Sequence, residues 1–158
     1  MNALFKMVSD GDLISLKNEL NDNNINRLNV SSVNLLQNAL KHKQDEIARY
    51  LINQGIAINH KDDVGYNALH YLAVYENDIS LAELCLQKGA DINATDNYGN
   101  SALWTAIFYA RGNYNYVECL LRNNADVSVV NKSGKTPLDL ALLLKFQGLI
   151  DLLAKYTR

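Results

Sequence analysis

The sequence predicts an all-α solenoid of about five helix-turn-helix units joined by short β-hairpin-like turns, and three observations carry that prediction. A four-residue pattern around a leucine recurs at Leu36, Leu69, Leu103 and Leu138, in steps of 33, 34 and 35 residues, and a step back of 32 reaches Leu4. Each later copy opens on a residue whose side-chain oxygen can cap a helix. After most copies comes a second apolar stripe that stops at a residue tolerant of the left-handed conformation. A fixed period of this size marks stacked repeats, each of which buries its apolar face only against its neighbours.

The units are bounded at 1–29, 30–61, 62–95, 96–130 and 131–158. In the first, Leu4, Leu13, Leu16 and Leu20 stand among Lys6, Asp10, Asp12, Lys17 and Glu19, the mixture expected of an end unit with one wet face. Its second helix is expected to stop at Asn23. The second unit opens at Asn34-Leu35-Leu36-Gln37 and carries Ile47, Leu51 and Ile52 before a stop at Gly55. The turn before Asn34 lacks a glycine, so Val30-Ser31-Ser32-Val33 is expected to be irregular. The third unit opens at Asn67-Ala68-Leu69-His70, with Leu81, Leu84 and Leu86 as its second stripe and Gly89 as its stop.

The fourth opens at Ser101-Ala102-Leu103-Trp104, with Val117, Leu120 and Leu121 before Asn124. The stretch from the residue after the motif leucine to the stop lengthens from 18 residues in the second unit to 19 and then 20 in the fourth. The extra residues are placed between the two helices, in Ala110-Arg111-Gly112-Asn113-Tyr114-Asn115-Tyr116. The fifth opens at Thr136-Pro137-Leu138-Asp139, where proline takes the first helical position, whose N–H has no partner in any helix. Between units, Asp62, Asp96 and Asn131 each stand three residues before a glycine, a turn signal that follows a short extended stretch.

Asp96-Asn97-Tyr98-Gly99-Asn100-Ser101-Ala102-Leu103, Gly89-Ala90-Asp91-Ile92-Asn93-Ala94 and Gly134-Lys135-Thr136-Pro137-Leu138-Asp139-Leu140-Ala141 together resemble the ankyrin-repeat unit. Three units match well, the second in part, and the first by register alone. The resemblance implies a curved stack of helix pairs whose concave face is lined by hairpin tips and first helices. It also implies a protein-binding module.

Composition narrows the function. Hydrophobic residues make up 48% of the 158 and charged residues 20%, a globular balance. No apolar run approaches the roughly 18–20 residues of a membrane span, and the N-terminus lacks a signal-peptide pattern, so a cytoplasmic location is expected. Cys85 and Cys119 have neither CxxC spacing nor further cysteines around them, which argues against a disulfide scaffold or a zinc site. His42, His60 and His70 belong to no HExxH motif, and no P-loop or GxGxxG pattern is present. His70 occupies the family's own histidine position, which the resemblance implies is structural. Of the carboxylates Asp62 and Asp63, one is the turn aspartate and the other is read as solvated. The expectation is no catalysis, no cofactor and no metal.

The net charge of −2 averages segments of +1 (residues 1–61), −6 (62–126) and +3 (127–158). An acidic middle repels nucleic acid and steers a basic protein toward itself. The same middle holds nine of the 13 aromatic residues. Tyr71 and Trp104 are read as packing between units, with a contact role left open. The candidate partner-binding residues are Asp63, Tyr66, Asn97 and Tyr98 on the turns, Tyr75, Phe108 and Tyr109 late in the first helices, and Arg111, Tyr114 and Tyr116 in the lengthened segment.

With 21 asparagines, and ten lysines against five arginines, the usage suggests an AT-rich and plausibly bacterial genome. In that setting a small ankyrin-type protein with an acidic, tyrosine-rich centre resembles an immunity protein that neutralises a basic toxin. The alternative is an intracellular scaffold or adaptor, or a delivered effector that binds host proteins. Nucleic acid and membrane are not expected as partners.

Overall fold

A computed structural model describes residues 3–76 and 78–156. Asn2, which opens the first copy of the repeated pattern, lies outside the described residues. The helices are α1 (Ala3–Asp10), α2 (Leu13–Glu19), α3 (Leu35–Lys41), α4 (Asp45–Asn53), α5 (Ala68–Tyr75), α6 (Ile79–Gln87), α7 (Ala102–Tyr109), α8 (Asn115–Arg122), α9 (Pro137–Leu144) and α10 (Gln147–Ala154). They fall as one pair in each of the five units. First helices stack on first helices, α1 on α3, α3 on α5, α5 on α7 and α7 on α9, while α4, α6 and α8 stack as a second layer. The core is therefore a continuous seam between the layers, with Leu16, Leu36, Leu51, Leu69, Leu81, Leu103 and Leu120 fully buried along it.

The helix starts follow from local chemistry. Asn34, Asn67, Ser101 and Thr136 each accept a hydrogen bond from the backbone N–H three residues on, and each has extended backbone. Pro137 takes the first helical position. At the far end Gly55, Gly89 and Asn124 all have positive φ. The N–H after each reaches back to the last turn, Ala90 to Cys85 O at 2.9 Å for example, which satisfies carbonyls the helix leaves free.

The turns are one structure used four times. In the third unit Asp62 Oδ1 accepts from the N–H groups of Val64 and Tyr66, Gly65 N–H donates to Asp62 O, and Asp62 N–H donates to Tyr66 O. Asp96 and Asn131 repeat the set. So does Asn29: Val30–Val33 is a regular copy of the turn, with Ser32 at φ 55° where the others have glycine. Consecutive turns are also stitched together, Asn97 N–H donating to Val64 O at 3.0 Å and Lys132 N–H to Tyr98 O at 2.9 Å. A β-carbon on Gly65 would stand 2.6 Å from Asn97 N, so that contact needs glycine for space as well as for its positive φ.

Other expectations are corrected. α2 ends at Glu19, before Asn23, because the Asn24 side chain donates to Glu19 O and Asn21 and Asn24 close the turn between them. In α6 the buried stripe is Leu81, Ala82 and Cys85, while Leu84 and Leu86 are half-buried. Their neighbours α4 and α8 present bulky leucines and isoleucine, so the space left to α6 favours its smaller residues. The two ends also differ. The first unit is wet outside, with Lys6 paired to Asp10. In the last unit Leu142 is 52% exposed, whereas Leu40 and Ile107 at the same register are at 0%.

The two loops that join first to second helix in units 2 and 3 are short, and the fourth is lengthened between Tyr109 and Asn115, with Arg111 and Gly112 both at positive φ. Asparagines do further work that spacing alone did not suggest. Asn26, Asn59 and Asn93 accept from the backbone N–H groups of Ala57, Asp91 and Asp126, each in the following unit. This ladder braces the outer loops one to the next, and its signal in the sequence is an asparagine recurring at 33 and 34 residues.

Candidate functional site

The position after the motif leucine shows how the frame is braced and where it is given up. In unit 2 this is Gln37, buried, whose Oε1 accepts from Asn34 N–H and whose Nε2 donates to Tyr66 O at 2.7 Å across the repeat boundary. In unit 3 it is His70, fully buried. Its Nε2 stands 3.1 Å from Asn100 O, and its Nδ1 lies 2.7 Å from Asn67 Oδ1 and 3.3 Å from Asn67 N. Burial, the largest cause, holds this imidazole below its ordinary value, and both nitrogens are engaged. It is a brace, with no nitrogen free to act as a base. In unit 4 the position is Trp104, half-buried and lining a groove on either side.

Around Trp104 the first helices turn aromatic. A cavity of about 200 Å³ between α7 and the preceding hairpins is lined by Tyr66, Asn100, Trp104, Thr105, Phe108 and Tyr109. Phe108 is 56% exposed, and its ring meets Tyr109 edge-on at 5.1 Å. Tyr66 lies flat on His70 at 5.0 Å and edge-on to Tyr71, which in turn meets Tyr75 at 5.7 Å. The rings thus run from the hairpin down the helix as one contiguous strip. Burial first, then neighbouring Tyr109, Asp96 and Asp62, pushes the Tyr66 phenol up to about 12. Tyr75 is raised in the same way, with burial again the first cause. Tyr71 is core, its hydroxyl donating to Asp62 Oδ2 at 2.8 Å.

The predicted contact residues divide. Tyr66, Tyr75, Phe108 and Tyr109 are brought together on the first-helix face. Asp63 and Tyr98 stand exposed on neighbouring hairpins, Tyr98 at 65%. Asn97 is exposed but engaged, its side chain donating to Asp63 O at 2.7 Å to brace one hairpin on the next. Arg111 is exposed on the loop beyond α7 and lines neither the cavity above nor the smaller one beside α7. Tyr114 packs outward over Gly148 of α10. Tyr116 turns inward, its hydroxyl donating to Leu69 O at 2.9 Å. These last two are packing residues: the lengthened loop lets them reach the adjoining units.

Charge by segment does not become charge on one face. Of the acidic side chains in the middle segment, Asp62 and Asp96 anchor turns, and Asp96 is buried. Asp78 pairs with Arg49, Glu118 with Arg122, and Asp91 and Asp126 cap outer turns. Asp63 is left as the free carboxylate at the hairpin tips of units 3 and 4. Cys85 and Cys119 are buried free thiols, and burial pushes Cys85 up to about 12, far from the thiolate form that reactive cysteines need. Among the described residues no cluster of metal-ligating side chains occurs, and no helix is long and apolar enough to cross a membrane.

A family model described as ankyrin repeats (3 copies) matches residues 4–96 and 71–158. The chain is 38% identical over 109 residues to ankyrin repeat protein FPV034 of Fowlpox virus (strain NVSL), covering 69% of this chain and 25% of that protein. It is 32% identical over 126 residues to FPV031 of the same virus, covering 78% of this chain and 36% of the relative. With ankyrin repeat protein L92 of Acanthamoeba polyphaga mimivirus it shares 40% identity over 78 residues, covering 49% and 18%. The chain therefore spans between about a fifth and about a third of the length of these relatives. All three are viral. The lysine and asparagine usage reports base composition, which does not distinguish a viral from a bacterial source.

Proposed function

The chain belongs to the ankyrin-repeat family, and on that premise we propose that this protein–protein interaction module takes its partner on the first-helix and hairpin face of units 3 and 4. One observation carries the reading. At positions where unit 2 presents the exposed polar residues Lys41 and His42, unit 4 presents Phe108 and Tyr109, beside Trp104 and below the exposed Tyr98. Contiguous exposed rings on a rigid frame are what binding hot spots are made of.

The finer reading is a basic partner: Asp63 stands free beside the rings, and the carboxylates of Asp62 and Asp96 lie close enough to act on Tyr66. A cytoplasmic immunity protein that neutralises a basic toxin is one role such a face serves. A scaffold, adaptor or delivered effector is the alternative. No catalytic role is proposed, because His70 is consumed in bracing the repeats.

Photo-crosslinking tests the face directly. A crosslinking amino acid at position 108 in the full chain, expressed in its native cell, is expected to capture a defined protein that the same probe at position 122, on α8, does not. Equal capture from both positions overturns the assignment. Recovery of a basic toxin domain supports the immunity role, and recovery of an acidic partner removes it.

A further inference from the structure

We propose that the cavity between α7 and the hairpin residues Tyr66 and Asn100 receives a lysine or arginine side chain of the partner protein, held by cation–π contact with Trp104, Phe108 and Tyr109. This rests on the first-helix face being the partner-binding face, and it names the chemistry that the cavity selects.

Size comes first. At about 200 Å³ the cavity is smaller than the roughly 300–1,000 Å³ of pockets that enclose whole small molecules, so it suits one side chain. Its walls come next. Four of the six lining residues are aromatic, and the other two, Asn100 and Thr105, bring no formal charge. Asn100 is in addition committed elsewhere: its Nδ2 donates to Asp96 and its Oδ1 accepts from Asn131. The polar groups that remain are on the rings themselves, the Tyr66 and Tyr109 hydroxyls and the Trp104 indole N–H. Ring faces are negative, so a cation is the ligand they favour over an anion.

The surrounding charge agrees. Asp96 and Asp62 lie close enough to act on Tyr66, and each accepts backbone N–H bonds in its turn. Among the described residues no lysine or arginine lines this cavity. The next groove along, between α7 and α9, also uses Trp104, but its lining carries both charges, Lys135 and Asp139, beside Leu140 and Leu143.

The test uses the full chain and four glycine-serine decapeptides with a single central arginine, lysine, citrulline or norleucine, the last two being neutral isosteres. Aromatic NMR resonances of Trp104, Phe108 and Tyr109 are followed during titration. The arginine and lysine peptides are expected to bind between about threefold and thirtyfold more tightly than their isosteres. Phe108→Leu combined with Tyr109→Leu, which keeps an apolar wall and removes two of the three ring faces, is expected to shrink that difference severalfold. Equal binding of charged and neutral peptides, or discrimination that is unchanged in the double leucine variant, overturns the proposal. So does the absence of any ring shift with all four peptides. In each of these cases the wider reading still stands if crosslinking at position 108 captures its partner.

Discussion

Units 2 and 4 are built on the same backbone and use it differently. Both open on a capped helix, both follow the same hairpin turn, and the motif leucines Leu36 and Leu103 are both at 0% exposure. At the next position, however, Gln37 ties its unit to the neighbouring hairpin, while Trp104 makes no such bridge and opens grooves on both sides. A late turn of Lys41 and His42 in one becomes Phe108 and Tyr109 in the other. The frame is thus held by backbone and asparagine bonds that link units 1 to 4, and a unit can exchange one brace for a ring without losing its place in the stack.

The largest effects should be common to both units. Leu36→Ala and Leu103→Ala each leave a cavity in the seam and should cost about 2–5 kcal/mol in urea unfolding; a large difference between them would show that the frame is not shared. The next effect should separate the units. Phe108→Ala should weaken partner binding by about 2 kcal/mol or more, as a hot-spot residue does. Because the ring is more than half exposed, its effect on stability should stay within about 0.5 kcal/mol. Lys41→Ala should change neither, as calorimetry with the captured partner would reveal.

Gln37→Ala should cost about 1–3 kcal/mol, because it strands the buried Asn34 N–H and leaves Tyr66 O with the Asp62 N–H bond alone. Unit 3 adds a pH term. Burial keeps the His70 imidazole below its ordinary 6.5, so as pH falls the unfolded chain takes up its proton first. Stability from this group is full above pH 6.5 and declines as pH drops through 6.5 toward the lower folded value. His70→Gln, which borrows the residue of unit 2, should flatten that part of the profile, measured as the urea midpoint at pH 7.5 and lower values. The smallest effect is expected at the exposed Arg49–Asp78 pair, where Arg49→Ala should cost about 0.2–1 kcal/mol. A loss well above that would mean that the bond from Arg49 to Ser80 carries the α4–α6 contact.

What could be read in advance was whatever depends on a residue and its immediate chain neighbours. The caps at Asn34, Asn67, Ser101 and Thr136, Pro137 at the first helical position and the stops at Gly55, Gly89 and Asn124 are set by local hydrogen bonding and φ. The stop at Asn23 failed because two neighbouring asparagine side chains supplied bonds that ended the helix sooner. Ser32 shows that the turn aspartate or asparagine matters more to the hairpin than its glycine does. Tyr114 and Tyr116 could not be placed, since their partners Gly148 and Leu69 belong to other units. Segment charge misled for a related reason. A solenoid deals consecutive acidic residues to the hairpin tips, the outer turns and the second helices in rotation, so a sum along the chain describes no surface.

Hydrogen–deuterium exchange of the full chain, with and without its captured partner, tests the central claim most directly. The account predicts new protection in the hairpins and first helices of units 3 and 4, across residues 62–75 and 96–109, with α6 and α8 unchanged. Protection confined to α6 and α8, or to the exposed leucines at the end of α9, would contradict it.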